Sequence, residues 1–323
     1  MLFRKLGAML SVALPALCTL PAAAGDWPAK PITVLAPFSA GGTVDIVARI
    51  VSNKLSRELG ENIVVENHTG AGGTLATGAL AHAAPNGYTL MVHHMGLAFN
   101  ASLYDKLSYD TVRDIMPIAY IGATPNVLVT TNGFPAKTVA EFLEFAKSKP
   151  GDLNYGSGGI GSAGHLPMAV LESTAHIKLV HVPYRGAAPA LSDLMSGHIQ
   201  IMLQTIPAVM SYIQAGRVRP LATSGRVRSS ALPDLPTLDE AGIKGFDYSP
   251  WYGFFAPAGT PLPIVNKLHA AINKVLSDPE ILSRLGQQGL EVQTMTREQF
   301  ARIVAADIAK WGTTIKTLGI KAE

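Results

Sequence analysis

Three glycine-rich segments are the residues of this chain whose types and spacing could do chemistry. Residues 38–43 read FSAGGT, residues 69–74 read TGAGGT, and residues 155–165 read YGSGGIGSAGH. Each segment follows a short apolar run and precedes a helical pattern. Backbone N–H groups at a helix start point toward an anion, and glycine lets the chain approach it closely. One such loop is equally consistent with a tight turn, but three together predict an anion-binding site.

The glycine spacing argues against a nucleotide. A Walker phosphate loop needs G-x-x-x-x-G-K-[ST], because its lysine reaches the phosphates and its hydroxyl holds magnesium. Gly41 and Gly42 offer neither that lysine nor that spacing, and G-x-G-x-x-G is absent after the first apolar run. We therefore predict no cofactor, and a small carboxylate is the preferred anion.

Ser157 raises the alternative of a secreted serine hydrolase, with His165 as its base. The sequence around it, YGSGG, lacks the first glycine of the G-x-S-x-G elbow, and no acid is placed to orient His165. A hydroxyl that donates to an anion is the preferred interpretation. We predict that the chain is not an enzyme.

The histidines do not predict a metal site. His93 and His94 are adjacent, so on a strand they are expected to point to opposite faces, and no H-x-x-x-H pair supports them. We expect His94 to line a cleft and His93 to pack beneath it. His176, His181 and His198 are interpreted as surface or core positions.

Three further positions carry two interpretations each. Asp45 either balances the dipole at a helix start or contacts a ligand amine, and the first is preferred. Arg185 either pairs with a distal ligand carboxylate or is an exposed structural arginine. The pair Trp251 and Tyr252 is either hinge packing, which is favoured, or an aromatic wall.

Alternating strands and helices must position these loops. The first set has strands at 32–36, 62–66 and 88–92 and helices at 45–59 and 74–83, so it predicts a parallel sheet with all three loops at one edge. A second α/β unit follows, with strands at 127–130, 153–156, 179–182, 199–203 and 221–223 and helices at 138–147, 164–174, 187–195 and 207–215. One strand at 253–256 and helices at 262–275, 279–286 and 296–318 complete the predicted elements.

The first 24 residues read as a cleavable signal peptide for the periplasm. Arg4 and Lys5 precede an apolar run from Leu6 to Leu20, and three alanines end at Ala24. Without them, 24 basic residues face 23 acidic ones, which gives no electrostatic case for nucleic acid. Cys18, the one cysteine, lies in this leader. We expect a soluble monomer.

The order of motifs resembles the Bug family, the extracytoplasmic substrate-binding proteins of tripartite tricarboxylate transporters. The segments that carry the resemblance run from Trp27 to about Lys321, and they are WPAKPITVLAPFSAGGTVDIVAR, VENHTGAGGTLATGALAHAAPNGYTL, LSYDTVRDIMPIA, LNYGSGGIGSAGHL, HVPYRGAAPALSDLMSGHI, AGRVRPLATSGRVR, LPTLDEAG and WYGFFAPAGTP.

The resemblance implies an α/β Venus flytrap of two domains, with parallel-rich sheets and a ligand cleft between them. The expected ranges are 25–124 and 246–323 for one domain and 125–245 for the other. The loops at 38–43 and 155–162 are implied to hold the proximal carboxylate, partly through water. The other end of the ligand would lie near His94, Met95, Arg185, Gln204 and Thr205.

Together these arguments predict a periplasmic protein that binds a small carboxylate or aromatic acid for a membrane transporter. A ligand sensor of the same fold is the alternative that the sequence leaves open. The predicted ligand-binding residues are Phe38, Ser39, Gly41, Gly42, Thr43, Asp45, Gly72, His94, Met95, Ser157, Gly158, Gly159, Ser162, His165, Tyr184, Arg185, Gln204 and Thr205.

Overall fold

A computed structural model describes residues 27–322 of the chain. The predicted signal peptide and its cysteine lie outside the described residues. The strands are β1 (Ile32–Ala36), β2 (Ile63–Asn67), β3 (Thr89–His94), β4 (Ile115–Ala123), β5 (Asn126–Thr131), β6 (Asn154–Ser157), β7 (Val180–Pro183), β8 (Ile201–Thr205), β9 (Val218–Thr223), β10 (Trp251–Pro257) and β11 (Glu291–Val292).

These strands form two mixed sheets, which confirms the predicted α/β class. The first sheet has the order β11-β4-β10-β3-β1-β2, and the second has the order β7-β6-β8-β5-β9. Each contains a parallel trio, β2-β1-β3 in one and β7-β6-β8 in the other. The trio places the loops that follow its strands at one edge of the sheet, as the sequence predicted.

Ten α-helices cover the sheets in residues 27–322. They are α1 (Thr43–Leu59), α2 (Thr74–Ala81), α3 (Gly96–Leu103), α4 (Val139–Ser148), α5 (His165–Ala175), α6 (Ala187–Ser196), α7 (Ile206–Gln214), α8 (Leu262–Leu276), α9 (Pro279–Gln287) and α10 (Arg297–Leu318). None of the helices in this part of the chain combines the length and apolarity needed to cross a bilayer.

The helix ends follow from local sequence. Helix α1 buries Val47, Val51 and Leu55 on one face and ends at Gly60, whose φ of 75° is left-handed. Helix α10 starts with a capping box, in which the Thr296 hydroxyl accepts from the Gln299 N–H and the Gln299 side chain accepts from the Thr296 N–H.

We call the first sheet with α1–α3 and α8–α10 lobe 1, and the second sheet with α4–α7 lobe 2. The chain passes from lobe 1 to lobe 2 at residues 124–125 and returns through residues 224–250. On its return it inserts β10 between β3 and β4, antiparallel to both. The residue limits predicted for the domains stay a prediction.

Three elements of lobe 1 are absent from the sequence prediction: α3, β4 and the two-residue strand β11. Helix α3 reads GLAFNASL and is buried on most sides, so it lacks the polar face that reveals a surface helix. It packs against α10, where the rings of Phe99 and Trp311 lie 4.8 Å apart. Strand β4 contains Pro117, which weakened its strand signal. In lobe 2, β8 ends at Thr205 rather than at 203, which brings Gln204 and Thr205 to the edge that faces lobe 1.

Candidate functional site

The two lobes touch through a buried pair of hydroxyls. Thr43 Oγ1 at the start of α1 lies 2.6 Å from Thr205 Oγ1 at the end of β8. The Gln204 side-chain oxygen accepts from the Thr205 N–H at 2.9 Å and lies 3.1 Å from the Thr205 hydroxyl. The Thr205 hydroxyl donates its one proton to the Gln204 oxygen, so it can only accept from Thr43. The Thr43 hydroxyl is therefore the donor of the hydrogen bond between the lobes. The contact joins the lobes in a closed arrangement.

A cavity of about 30 Å³ lies beside this pair, and we call it the inner cavity. That volume holds one or two water molecules. Lobe 1 lines it with Phe38, Gly42, Thr43, Val44, His94 and Tyr252, and lobe 2 with Gly158, Ser162, Ala163, Ala187, Gln204 and Thr205.

Three helix N-termini converge on the inner cavity. Helices α1, α6 and α7 begin at or next to its lining residues, and none of the three has a side-chain hydrogen bond at its cap. The first N–H groups of a helix have no partner within the helix, and the helix dipole makes this end positive. The dipoles of all three ends favour an anion in this small space. Helix α7 adds fewer N–H donors, because the Ile206 N–H donates to the Pro125 carbonyl at 3.2 Å and Pro207 has no N–H.

Side chains add further donors. The Gly96 N–H donates to His94 Nδ1 at 2.7 Å, so neutral His94 carries its proton on Nε2. Burial lowers the pKa of His94 well below its ordinary value, which keeps the ring neutral at pH 7. Ser162 Oγ is buried without a hydrogen-bond partner among residues 27–322. Both side chains line the inner cavity and are free to donate to a ligand.

The loop at 38–43 is fixed by Asp45. One oxygen of its carboxylate accepts from the Gly41 N–H at 3.0 Å, and the other accepts from Arg49 Nε at 2.8 Å and Asn67 Nδ2 at 2.9 Å. The same Asn67 nitrogen donates to the Phe38 carbonyl at 2.9 Å. Both oxygens are therefore engaged within lobe 1. The alternative of a ligand-amine contact does not fit this geometry.

The loop at 157–165 is fixed from within lobe 2. Ser157 is fully buried, accepts from the Gly159 N–H at 3.1 Å and lies 2.7 Å from His181 Nε2. His165 accepts from the Gly161 N–H at 3.3 Å and stacks on His181 at 4.3 Å. The hydroxyl of Ser157 is paired with His181, not with His165, and lines neither cavity. This arrangement does not support the nucleophile interpretation.

A larger outer groove of about 650 Å³ adjoins the inner cavity, and Phe38 and Gly158 line both. Its walls also include Gly72, Tyr104, Tyr184, Arg185 and Ala322. The Tyr184 hydroxyl donates to Asp193 at 2.6 Å, which fixes that ring. Arg185 is exposed and is the one charged lining residue in the described part of the chain.

Glycine backbone forms much of the remaining contact between the lobes. A Cβ on Gly72 would overlap the carbonyl oxygen of Ile160, and one on Gly186 would overlap the hydroxyl of Ser39. A Cβ on Gly161 would lie 2.6 Å from the side-chain oxygen of Asn100. The closed arrangement therefore leaves no room for side chains at these positions.

The structure brings most of the predicted site residues to the two cavities. Those that line one or both are Phe38, Gly42, Thr43, Gly72, His94, Gly158, Gly159, Ser162, Tyr184, Arg185, Gln204 and Thr205. Those that line neither are Ser39, Gly41, Asp45, Met95, Ser157 and His165. Met95 is the N-cap residue of α3 and is buried, with its N–H donating to the Trp251 carbonyl at 3.1 Å.

Two expectations about aromatic residues are corrected. The rings of His93 and His94 do not point to opposite faces, because β3 ends there and both pack against Phe38, at 5.9 and 4.9 Å. Tyr252 lines the inner cavity, so the less favoured wall interpretation holds for it. His181, which was expected to be a surface or core position, contacts the Ser157 hydroxyl and stacks on the ring of His165. No cluster of three or more metal-binding side chains occurs in residues 27–322.

Replacing Thr205 by valine tests the interlobe hydroxyl pair. Valine has nearly the same shape as threonine, but it leaves the Thr43 hydroxyl without its hydrogen-bond partner. The closed arrangement should therefore lose about 1–3 kcal/mol of stability. We expect ligand affinity to fall about tenfold, because 1.4 kcal/mol is a factor of ten. Titration calorimetry measures this, with Thr205→Ser as the matched control that keeps the hydroxyl. Equal affinity of both variants and the wild type would contradict the role of the pair.

Comparison with known proteins identifies the family. Residues 47–320 match the family model described as Tripartite tricarboxylate transporter family receptor. The periplasmic binding protein BugD superposes with a TM-score of 0.89 at 34% identity, over 92% of this chain and all of BugD.

Two solved structures of similar proteins contain organic acids. Rpa4515 of R. palustris, solved with adipate, gives a TM-score of 0.89 at 33% identity, over 92% of this chain and 99% of that one. MatC of Rhodopseudomonas palustris, solved with malate, gives 0.86 at 34% identity, over 90% of this chain and all of that one. The family consists of periplasmic solute-binding proteins without enzymatic activity. The chain belongs to this family of tripartite tricarboxylate transporter receptors, which confirms the resemblance to the Bug proteins and a solute-binding role.

Proposed function

We propose that this protein closes its two lobes over a small organic carboxylate in the periplasm and delivers it to a tripartite tricarboxylate transporter. The observation that carries the proposal is the convergence of three uncapped helix N-termini on the inner cavity. Each such terminus contributes about 0.3–1 kcal/mol toward a nearby negative charge. The binding of malate and adipate by two relatives supports a carboxylate as the anion.

The proximal carboxylate would lie at the inner cavity. Its donors there are the first N–H groups of α1, the hydroxyl of Ser162 and the Nε2–H of His94. Since the cavity has room for one or two waters, part of the contact would run through ordered water, which costs little affinity. These donors are neutral, so they select a carboxylate by the positions of its two oxygens as well as by its negative charge.

The distal end of the ligand would lie in the outer groove. Arg185 is the cation available there, and its guanidinium can receive a second carboxylate in a bidentate pair. Its side chain is exposed, so the pair contributes modestly to affinity and mainly favours dianionic over monoanionic ligands.

Closure is proposed to be a hinge motion at the two crossings between the lobes, at 124–125 and 224–250. A ligand shifts the lobes toward the closed arrangement only by its differential affinity for that arrangement. The interlobe contacts of Thr43, Gly72 and Gly186 exist only when the lobes are closed, and so does the inner cavity between them. We propose that residues 1–24 direct export and are removed.

A thermal-shift screen tests this function. The protein without residues 1–24, unfolded and refolded to remove any bound ligand, would be titrated with succinate, malate, adipate and terephthalate, and with succinamide and adipamide as neutral controls. A carboxylate at 100 times its Kd adds about 2.7 kcal/mol of stability and so raises Tm by several degrees. The amides should not do so. No rise in Tm with any of the acids, or equal rises with acids and amides, would overturn the proposal.

A further inference from the structure

The last described residues of the chain reach the mouth of the outer groove. Helix α10 ends at Leu318, and Gly319 turns the chain with a left-handed φ of 64°. The Ile320 N–H donates to the Ile315 carbonyl at 3.1 Å, and the Ala322 N–H donates to the Leu103 carbonyl at 2.9 Å. We call residues 320–322 the C-terminal tail. Its hydrogen bond to Leu103 places Ala322 among the lining residues of the groove.

The tail lies beside Tyr104, the residue that follows α3. The Tyr104 hydroxyl is close to the turn at Gly72, 3.0 Å from where a Cβ on that residue would lie. Burial raises the pKa of Tyr104, so its hydroxyl stays protonated at neutral pH. Tyr104 and Ala322 together form a wall from lobe 1, and this wall has no charged side chain. Lobe 2 lines the groove with Pro183, Tyr184, Arg185 and Pro189.

The sizes of the two cavities constrain the ligand. The inner cavity, about 30 Å³, has room for water or a carboxylate oxygen but not for a ligand body. The outer groove, about 650 Å³, lies within the usual range of roughly 300–1,000 Å³ for small-molecule sites. Because Phe38 and Gly158 line both spaces, a ligand held at its head by the inner cavity extends past them into the groove.

We propose that Ala322 of the C-terminal tail and Tyr104 form the outer wall of the binding site and select carboxylates with an extended apolar or aromatic body. The inference rests on the proposed function, since it assumes that the head of the ligand lies at the inner cavity. The small side chain of Ala322 leaves the space that such a body needs. We expect a short acid such as succinate to end before the wall, and adipate and terephthalate to reach it.

The test is a bulky residue at the tail. Ala322→Trp narrows the groove beside Tyr104 and should weaken binding of adipate or terephthalate at least tenfold, while succinate changes by less than twofold. Lys321→Trp is the matched control, because Lys321 is exposed and does not line the groove, and it should bind all three acids like the wild type. Calorimetry gives each Kd, and Tm shows whether each variant is folded. Ala322→Leu provides a milder second variant, for which we expect the same order of effects.

The outcomes separate this inference from the proposed function. If the wild type binds carboxylates and both Ala322 variants leave the affinities unchanged, the function stands and the role of the tail is overturned. Equal weakening of succinate and adipate would also overturn it, because length selection would then be absent. If the wild type binds no carboxylate, the proposed function fails and the inference fails with it.

Discussion

Gly72→Ala is expected to weaken ligand binding about 100-fold. The new methyl group would overlap the Ile160 carbonyl of lobe 2, so the lobes cannot close as they do here. The backbone at Gly72 has a φ of 60°, which adds a strain of about 1 kcal/mol for any residue with a Cβ. If the closed arrangement falls to about 1% of molecules, the apparent Kd rises about 100-fold.

Calorimetry with the carboxylate that most stabilises the wild type measures this loss, and small-angle scattering shows whether the ligand still compacts the protein. Gly216→Ala is the matched control. Gly216 has a φ of 64°, so a Cβ there meets the same backbone strain. Apart from Gly216 and its two chain neighbours, no atom of the described residues lies within 4 Å of the added Cβ. Wild-type affinity in Gly72→Ala would show that the lobes bind ligand without this contact.

Acidification is the second change with a large expected effect. Burial lowers the pKa of His93 and of His181 from 6.5 to about 4, and burial followed by the nearby His181 lowers that of His165 to about 3. Burial also lowers the pKa of His94 well below its ordinary value. In the unfolded chain all four rings titrate near 6.5. Between pH 6.5 and about 4 the unfolded chain therefore binds more protons, and the free energy of unfolding falls as the pH falls.

The magnitude follows from the shifts. At pH 5 the solution is 1.5 pH units below the unfolded pKa of each ring, which corresponds to about 2 kcal/mol per histidine and about 6 kcal/mol for His93, His165 and His181 together. His94 adds to this loss in the same direction. Urea unfolding at pH 7 and pH 5 measures the difference. His165→Gln should remove about 2 kcal/mol of this loss. His176→Asn should leave the loss unchanged, because His176 is exposed and its left-handed φ of 53° suits asparagine. Equal stability at both pH values would contradict the prediction.

The sequence predicted those helices whose apolar periodicity and terminal glycine indicate the same boundaries. The apolar face of α1 and the left-handed Gly60 that ends it are both readable from residue types. Helix α3 was missed because an apolar helix between other elements shows no polar face. The insertion of β10 between β3 and β4 depends on contacts between residues far apart in the chain, which a single sequence does not display.

The sequence pointed to the glycine-rich loops of the candidate site, but it did not point to the residues from other elements that contact these loops or line the groove. Glycine-rich loops at helix starts pointed to Thr43 and Ser162, since their role depends on local geometry. Thr205 was expected only from the family resemblance. His181 and Ala322 carry no local signal. The first joins the site because β7 pairs with β6, and the second because α10 packs along α3.

The position of β10 in the first sheet determines the order in which the lobes can become complete. All five strands of lobe 2 lie between residues 126 and 223, so that lobe has its full sheet once those residues are available. Lobe 1 needs residues 251–257 as an interior strand, so its sheet cannot be completed until almost the last quarter of the chain is available. During synthesis from the N-terminus, β3 and β4 present unpaired edges until β10 arrives, which exposes the chain to aggregation for that interval. Folding that begins only when residues 251–257 are available removes that interval, because β3, β10 and β4 then pair together.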